Sequence, residues 1–382
     1  MAYVPLAVLV PMLGATFLAA ARELLSRALA DAVSLALGIA TVTLCAIALA
    51  HSVDHTIVYW WGAWTPRPGG VALGIDFAFG PLDAGMAVFA ASLTVIAGVF
   101  SWRFLAEVDA LYHAILLVFL AAMVGFSLSG DLFNMFVFFE LMSVSAYVLA
   151  GFKIDQRSPI EGSLNFAITN SAGAILALFG IGLVYSKTGA LNLAQIGDQL
   201  GRHGVDAVVV AGFTLIVCGF LVKAAAIPFH FWLADAYAVA PTPVCILFAG
   251  AMSELGLLGV ARVYWTAFAP VLDPHAEALR WTLIAIGLGT AFVGAAMSLA
   301  QHHLKRMLAF ATIAYMGLFL VGIAMLSADG LAGTAIYVVG DGLVKAALFV
   351  CVGIVQHRRA SLDEVDLHGR GRDLRLTAGV FV

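Results

Sequence analysis

The sequence predicts an all-α, polytopic helical membrane protein with about 11–12 transmembrane helices, the seventh of them broken. Three observations predict it. Of 382 residues, 63% are hydrophobic and only 11% charged, which no ordinary soluble globule tolerates. Apolar runs of about 20 residues, the length that crosses a bilayer, recur along the chain. One run, 207–240, is too long for a single crossing and holds Pro228 inside it.

Taken in order, the spans are expected near 4–20, 31–50, 81–101, 109–128, 132–151, 163–186, 207–240, 242–264, 278–299, 307–327 and 331–356, with a last segment opening near Leu376. The N-terminus lacks the basic start and cleavage site of a signal peptide, so it is read as the first span. The 51–80 connection, with Trp60, Trp61, Trp64 and several glycines, reads as a loop whose tryptophans sit at the membrane interface. No soluble domain or low-complexity linker is visible.

Loop charges orient the chain. Twelve of the nineteen Lys and Arg lie in connections after odd-numbered spans, among them Arg22, Arg27, Lys305, Arg306 and Arg372. Five lie opposite, namely Arg67, Lys187, Arg202, Arg262 and Arg280, while Lys223 and Lys345 fall inside spans. The positive-inside bias therefore predicts an N-terminus on the non-cytoplasmic side of a cell membrane. The net charge of −4 gives no sign of nucleic-acid binding. Cys45, Cys218, Cys245 and Cys351 are far apart, form no CxxC pair and read as small buried hydrophobes.

The chemistry is expected where charges enter the apolar runs, since each costs roughly 2.5–3.5 kcal/mol near a helix centre. Lys223 lies one turn before Pro228, which deprives the Ala224 carbonyl of its helical partner. Such breaks are tolerated at membrane depth where they face protein or a water-filled cavity. Glu140 falls near the middle of the fifth span and Glu254 midway along the eighth. Asp341 and Lys345 are four apart in the eleventh, on one helix face in the favourable order. His302, His303, Lys305 and Arg306 open the tenth span, and histidine suits proton uptake near neutral pH. Asp131, before an apolar run, reads as a helix N-cap. The phenylalanines from Phe133 to Phe139 read as lipid-facing or packing surface. His113 is ambiguous between core and site.

KAAAIPFHFWLADAYAVAPTPV, with DLFNMFVFFELMSVSAYVL, HLKRMLAFATIAYMG and DGLVKAALF, resembles the antiporter-like subunits shared by respiratory complex I, membrane-bound hydrogenases and multisubunit Mrp-type cation/proton antiporters. The resemblance runs from about residue 80 onward. It implies an inverted-repeat core in which hydrated half-channels meet along a central polar axis. Residues 1–108 would hold helices 1–3, 109–266 the first repeat, and 278–382 an incomplete second repeat. Glu140 and Lys223 match the glutamate and lysine pair with which the family modulates proton binding. Lys345 matches the eleventh-helix lysine, and His230 falls in the motif just after the break.

This chain also departs from the pattern. Glu254 stands where many relatives carry lysine or histidine, Asp341 where histidine is frequent, and His303 where aspartate is frequent before Leu-Lys-Arg. A lysine axis becomes a mixed acid and base axis. GRDLRLTAGVFV resembles the opening of the twelfth helix, so the second broken helix is expected to be missing. A fragment, a chain completed by another, or a protein without the full cycle would each fit.

The function expected is translocation of protons, with sodium or potassium as candidate coupled cations, by a subunit working with other membrane subunits in a lipid bilayer. The axis is Glu140, Lys223, Glu254, Asp341 and Lys345, supported by Pro228, His230, His303, Lys305 and Tyr315, with Ser253 as a further bridge. An ionised Glu140 favours the ammonium of Lys223; loss of that charge makes Lys223 release its proton toward Glu254. The alternative is a proton-pumping membrane subunit of a redox complex. No nucleotide fingerprint, cluster motif or haem site is visible, so no cofactor or metal of its own is expected. Plainer readings stand beside these: structural pairing for Glu254 and Asp341, orientation anchoring for Lys305 and Arg306, a satisfied interior histidine at His230, and a scaffold without transport.

Overall fold

The computed structural model describes residues 3–381 apart from 67–69, 106–108, 155 and 372. Arg67 and Arg372, counted in the charge bias, lie outside the described residues. Helices α1 (Tyr3–Ala20) and α2 (Arg27–Ser52) lead to a short antiparallel hairpin of β1 (Ile57–Trp60) and β2 (Asp76–Phe79). Then follow α3 (Pro81–Phe104), α4 (Ala110–Leu128), α5 (Leu132–Ala150), α6 (Arg157–Thr188) and the short α7 (Leu193–His203). The broken span is α8 (Ala207–Lys223) and α9 (Phe231–Val239).

Helices α10 (Thr242–Leu247), α11 (Ser253–Val263) and α12 (Ala269–Leu272) form one continuous run joined by π turns at Phe248–Met252 and Tyr264–Phe268. After the 3-10 turn Asp273–His275 the chain returns as α13 (Ala276–Leu299), followed by α14 (Leu304–Ala324) and α15 (Ala328–Arg359). Two short helices, α16 (Glu364–Leu367) and α17 (Arg375–Phe381), complete the described chain, α17 packing on α15. Among the described residues, dividing the apolar run at 273–275 and counting the broken pair as one crossing yields the expected eleven spans.

Polar caps set where the helices begin. Asp131 Oδ1 accepts from Asn134 N at 2.8 Å, Asn192 Oδ1 from Gln195 N at 3.1 Å, and Asp206 Oδ1 from Val209 N at 2.9 Å. Asp131 is thus the N-cap that the sequence suggested. Backbone bridges join Phe77 to Ser129 and Asp131 to Asn192, gathering the β hairpin and these caps on one face, here called the hairpin face. The opposite face carries the joint between α13 and α14, where His303 bridges Asp363.

Two connections have more structure than expected. The 51–80 loop folds as the β1–β2 hairpin, held by Trp61 stacked edge-on against Phe77, with ring centroids 5.5 Å apart. Its short alternating stretches are diluted by glycine and proline, which hides the strand pattern. Helix α7 lies across the same face with Leu193, Ile196 and Leu200 buried.

Two apolar cores result. One joins α1 to α4 with the hairpin; the larger packs α3 to α15. All four cysteines are free, three of them buried. Helices α13 and α14 touch through glycines: a Cβ at Gly287 would stand 2.8 Å from both the Gly317 carbonyl oxygen and Val321 Cγ2. Gly287→Leu is therefore expected to force these helices apart and lower stability by about 1–3 kcal/mol. Thermal unfolding in detergent checks this; an unchanged midpoint refutes the close packing.

Candidate functional site

The break between α8 and α9 is built by ordinary helix-ending chemistry on an unusual residue. Ala226 N donates to Leu221 O at 3.0 Å and Ala225 N to Val222 O at 3.1 Å, the paired bonds of a Schellman motif. The position that normally takes glycine is Ala225, at φ +51°. The Ile227–Pro228 peptide bond is cis. The freed groups find partners across the bundle: Ile227 N donates to Thr290 Oγ1 on α13 and Trp232 Nε1 to Val222 O, both at 3.0 Å.

Lys223, the last residue of α8, is fully buried. Its Nζ donates to Ser143 Oγ on α5 at 2.7 Å and lies 5.1 Å and 5.8 Å from the ring centres of Phe139 and Phe166. Phe166 stacks in turn on Trp232 of α9, centroids 4.4 Å apart. Glu140, one turn before Ser143, is half-buried and interacts with the Lys223 charge. The structure thus places a hydroxyl against the lysine, with Glu140 coupled to it across more than ion-pair contact. Glu140 Oε1 has no hydrogen-bond partner.

The second group lies on α11, α14 and α15. Asp341 and Lys345 form a buried ion pair one turn apart, and Lys345 Nζ sits 5.0 Å from the Tyr315 ring centre. Glu254 is 2% exposed, has no hydrogen-bond partner at either carboxylate oxygen, and interacts with Lys345 and Asp341. It follows a π turn, where Ser253 Oγ donates back to Phe248 O at 3.3 Å. Ser253 therefore spends its proton on the backbone. The two groups meet at Gly256, where a Cβ would approach Phe220 O to 2.7 Å and Ala224 N to 2.9 Å, so α11 lies directly against the break.

The residues expected toward the opposite face divide. Lys305 is 3% exposed and donates to Ala240 O at 2.8 Å, capping the carbonyl end of α9. Arg306 pairs with Asp235 on α9 at 3.1 Å. Both tie α14 to the second half of the broken span. His303 precedes α14, and burial, reinforced by Lys305 and Arg306, holds its imidazole below the ordinary histidine range against the pull of Asp363. His230 occupies the N-cap position of α9 without a side-chain capping bond, its Nδ1 is unpartnered, and among the described residues it forms no ion pair.

Three features escaped the sequence reading. His113 Nε2 meets Asp31 Oδ1 at 2.7 Å in a buried pair joining α2 to α4. Both residues read as isolated in their own spans, so only the fold reveals the pairing. Tyr237 of α9 is fully buried, interacts with Glu254 and Asp341, and leaves its hydroxyl unpartnered. Arg262, nearly buried at the end of α11, lies 3.5 Å from Asp83 Oδ1. An arginine in a span end reads as an anchor until its partner is seen.

Residues 129–372 match the family described as NADH:quinone oxidoreductase/Mrp antiporter, TM. The chain is similar to NADH-quinone oxidoreductase subunit N of Desulforudis audaxviator, 32% identical over 352 residues, covering 91% of this chain and 69% of the relative. It spans 51% and 63% of the length of two further subunit N relatives. Its fold is similar to a chain of membrane-bound sulfane sulfur reductase, an archaeal respiratory membrane complex, with a TM-score of 0.90, 24% identity, and coverage of 99% of this chain and 76% of that one. A chain of the Mrp complex from Dietzia sp. DQ12-45-1b superposes with a TM-score of 0.82 at 25% identity, over 93% of this chain and 65% of that one.

The strained position in the break offers a direct test. Ala225 holds a left-handed conformation that costs a non-glycine residue about 1–2 kcal/mol. Ala225→Gly is expected to raise the thermal midpoint and Ala225→Val to lower it. The reverse order would refute the Schellman geometry.

Proposed function

This chain belongs to the NADH:quinone oxidoreductase/Mrp antiporter transmembrane family, and we propose that it translocates protons as an antiporter-like subunit of a multisubunit membrane complex. The carrying observation is the set of ionisable groups placed across four helices: half-buried Glu140 with buried Lys223 beside a broken span, then Glu254, Asp341 and Lys345, all buried. A bilayer protein keeps such groups where charge moves.

In the proposed cycle, an ionised Glu140 favours the ammonium form of Lys223. When that charge is neutralised, the ammonium faces only Ser143 and aromatic rings, and its proton passes through waters toward Glu254. The Lys345–Asp341 pair then shifts to accommodate the new charge on Glu254. Tyr315 and Tyr237 position this second group. Lys305 and His303 serve uptake at the opposite face, which we assign to the cytoplasm, leaving the N-terminus outside. Residues 109–266 and 278–382 are assigned to the first and second repeats.

Two drives are compatible with the axis. A fold shared with an Mrp complex chain supports exchange against sodium or potassium. Similarity to subunit N supports redox-driven pumping by partner chains. Lys223→Ala and Glu140→Gln are each expected to lower proton flux by at least about tenfold in proteoliposomes holding the complex with its co-purifying partners. A sodium requirement in wild type selects exchange; coupling to electron transfer without one selects the pump. Wild-type flux in both variants would overturn the axis.

A further inference from the structure

Two cavities lie end to end between Glu254 and the hairpin face. The inner one, 280 Å³, is lined by Pro81, Leu82, Glu254, Leu258 and Ala261 and, on its lateral side, by Ile336 and Val339 of α15, which are exposed. The outer one, 430 Å³, is lined by Trp60, Asp76, Gly80, Asp83, Asn192 and Arg262. The linings interleave: Pro81 and Leu82 face inward while Gly80 and Asp83 face outward, and Ala261 faces inward while Arg262 faces outward. What separates the cavities is the first turn of α3 against the last turn of α11.

That wall is closed by charge. Arg262 lies 3.5 Å from Asp83 Oδ1 and donates to the Ser127 and Ala78 carbonyls. Asp83 Oδ2 also accepts from Gly80 N at 2.9 Å. At either end stands a buried carboxylate lacking partners: both oxygens of Glu254 on the inner side, and Oδ1 of Asp76, 1% exposed, on the outer. A buried carboxylate oxygen without a hydrogen bond is costly, and each of these opens on a space large enough for several waters, at about 30 Å³ apiece. Glu254 and Arg262 are eight residues apart on α11, a rise of about 12 Å.

We propose that these cavities form the outward proton port of this chain, running from Glu254 to Asp76 through an Arg262–Asp83 gate. This rests on the proton-axis reading above and adds its route to the hairpin face. A proton on the Glu254 carboxyl passes to water in the inner cavity, crosses when Arg262 swings from Asp83, and is taken by the Asp76 carboxylate, which releases it outside. The Glu254 carboxylate is then reprotonated from the lysine axis. The Arg262 guanidinium in the dividing wall repels a metal cation, whereas a proton can pass between carboxylates and water, so the port is assigned to protons.

Asp76 suits the outer step. It lies outside the spans, and burial pushes its carboxyl up to about 6; the Asn192 side chain opposes this, Asp131 adds to it and Arg262 opposes it. These are the groups that face it, with Asp83 joined to Arg262. Below pH 6 Asp76 stays protonated and blocks release; above it, release is open.

The test combines labelling with flux in the complex with its partners. In a background with the four native cysteines replaced by serine, Leu258→Cys reports the inner cavity and Thr266→Cys the outer. A membrane-impermeant methanethiosulfonate added on the hairpin side is expected to label Thr266→Cys readily and Leu258→Cys slowly, with Arg262→Gln raising the latter rate at least about tenfold. Asp76→Asn is expected to lower flux at least about tenfold, with Asp76→Glu restoring it and shifting its pH profile. Leu258→Cys that reacts only from the opposite side, or that ignores Arg262→Gln, overturns the port. So does Asp76→Asn flux equal to wild type. Labelling reads the port even where Lys223→Ala leaves flux intact, so the axis and the port fail separately.

Discussion

A lysine ammonium buried at the end of a helix that cannot continue is the constraint on which the rest of this structure depends. Pro228 forbids the continuous hydrogen-bond ladder that a membrane otherwise demands. Every freed group must therefore be answered from within the protein. Thr290 on α13 takes the Ile227 amide, Trp232 bonds the Val222 carbonyl, and Lys305 on α14 caps the Ala240 carbonyl. Ser143 Oγ on α5 accepts the hydrogen bond of the Lys223 ammonium, and Gly256 lets α11 approach the stub of α8. Five helices are thus arranged by one break, and an interior space for charge follows from satisfying backbone.

The same economy explains why the second charge group is adjacent. Helix α11 can approach α8 only at a glycine, and the turn just before it is the π turn that Ser253 and Glu254 follow. The extra residue in a π turn changes which side chains face inward. Glu254 then faces α15, where Lys345 and Asp341 offset one another and Tyr315 covers the ammonium. The three groups are electrostatically coupled, so protonating any one changes what the other two prefer.

The spans, the break and the buried charges were legible because each violates or obeys a one-dimensional rule. Pro228 in a run too long for one crossing marks the break, and Asp131 ahead of DLFNMF marks a cap. What sequence could not show is partnership. Glu140 and Lys223 read as a contact pair, yet Ser143, three residues from Glu140 and so on the same helix face, reaches the lysine first. Asp31 with His113, and Arg262 with Asp83, join residues more than fifty apart in the chain, with nothing local to signal either. The hairpin was hidden because its strands are four residues each and separated by glycine and proline.

The distribution of side chains along α11 carries the functional argument further than any single residue. Near one end stands an unpaired acid facing the lysine axis; near the other stands an arginine bound to an acid and two carbonyls. Between them the helix shows only Leu257, Leu258 and Ala261 to the inner cavity. An apolar passage holds water poorly while its ends are neutral or paired. Charge at Glu254 therefore favours wetting of the cavity, and wetting weakens the hold of Asp83 on Arg262 by offering both another partner. In the port proposed above, one helix couples the state of the Glu254 carboxylate to access from the hairpin face through the Arg262 side chain.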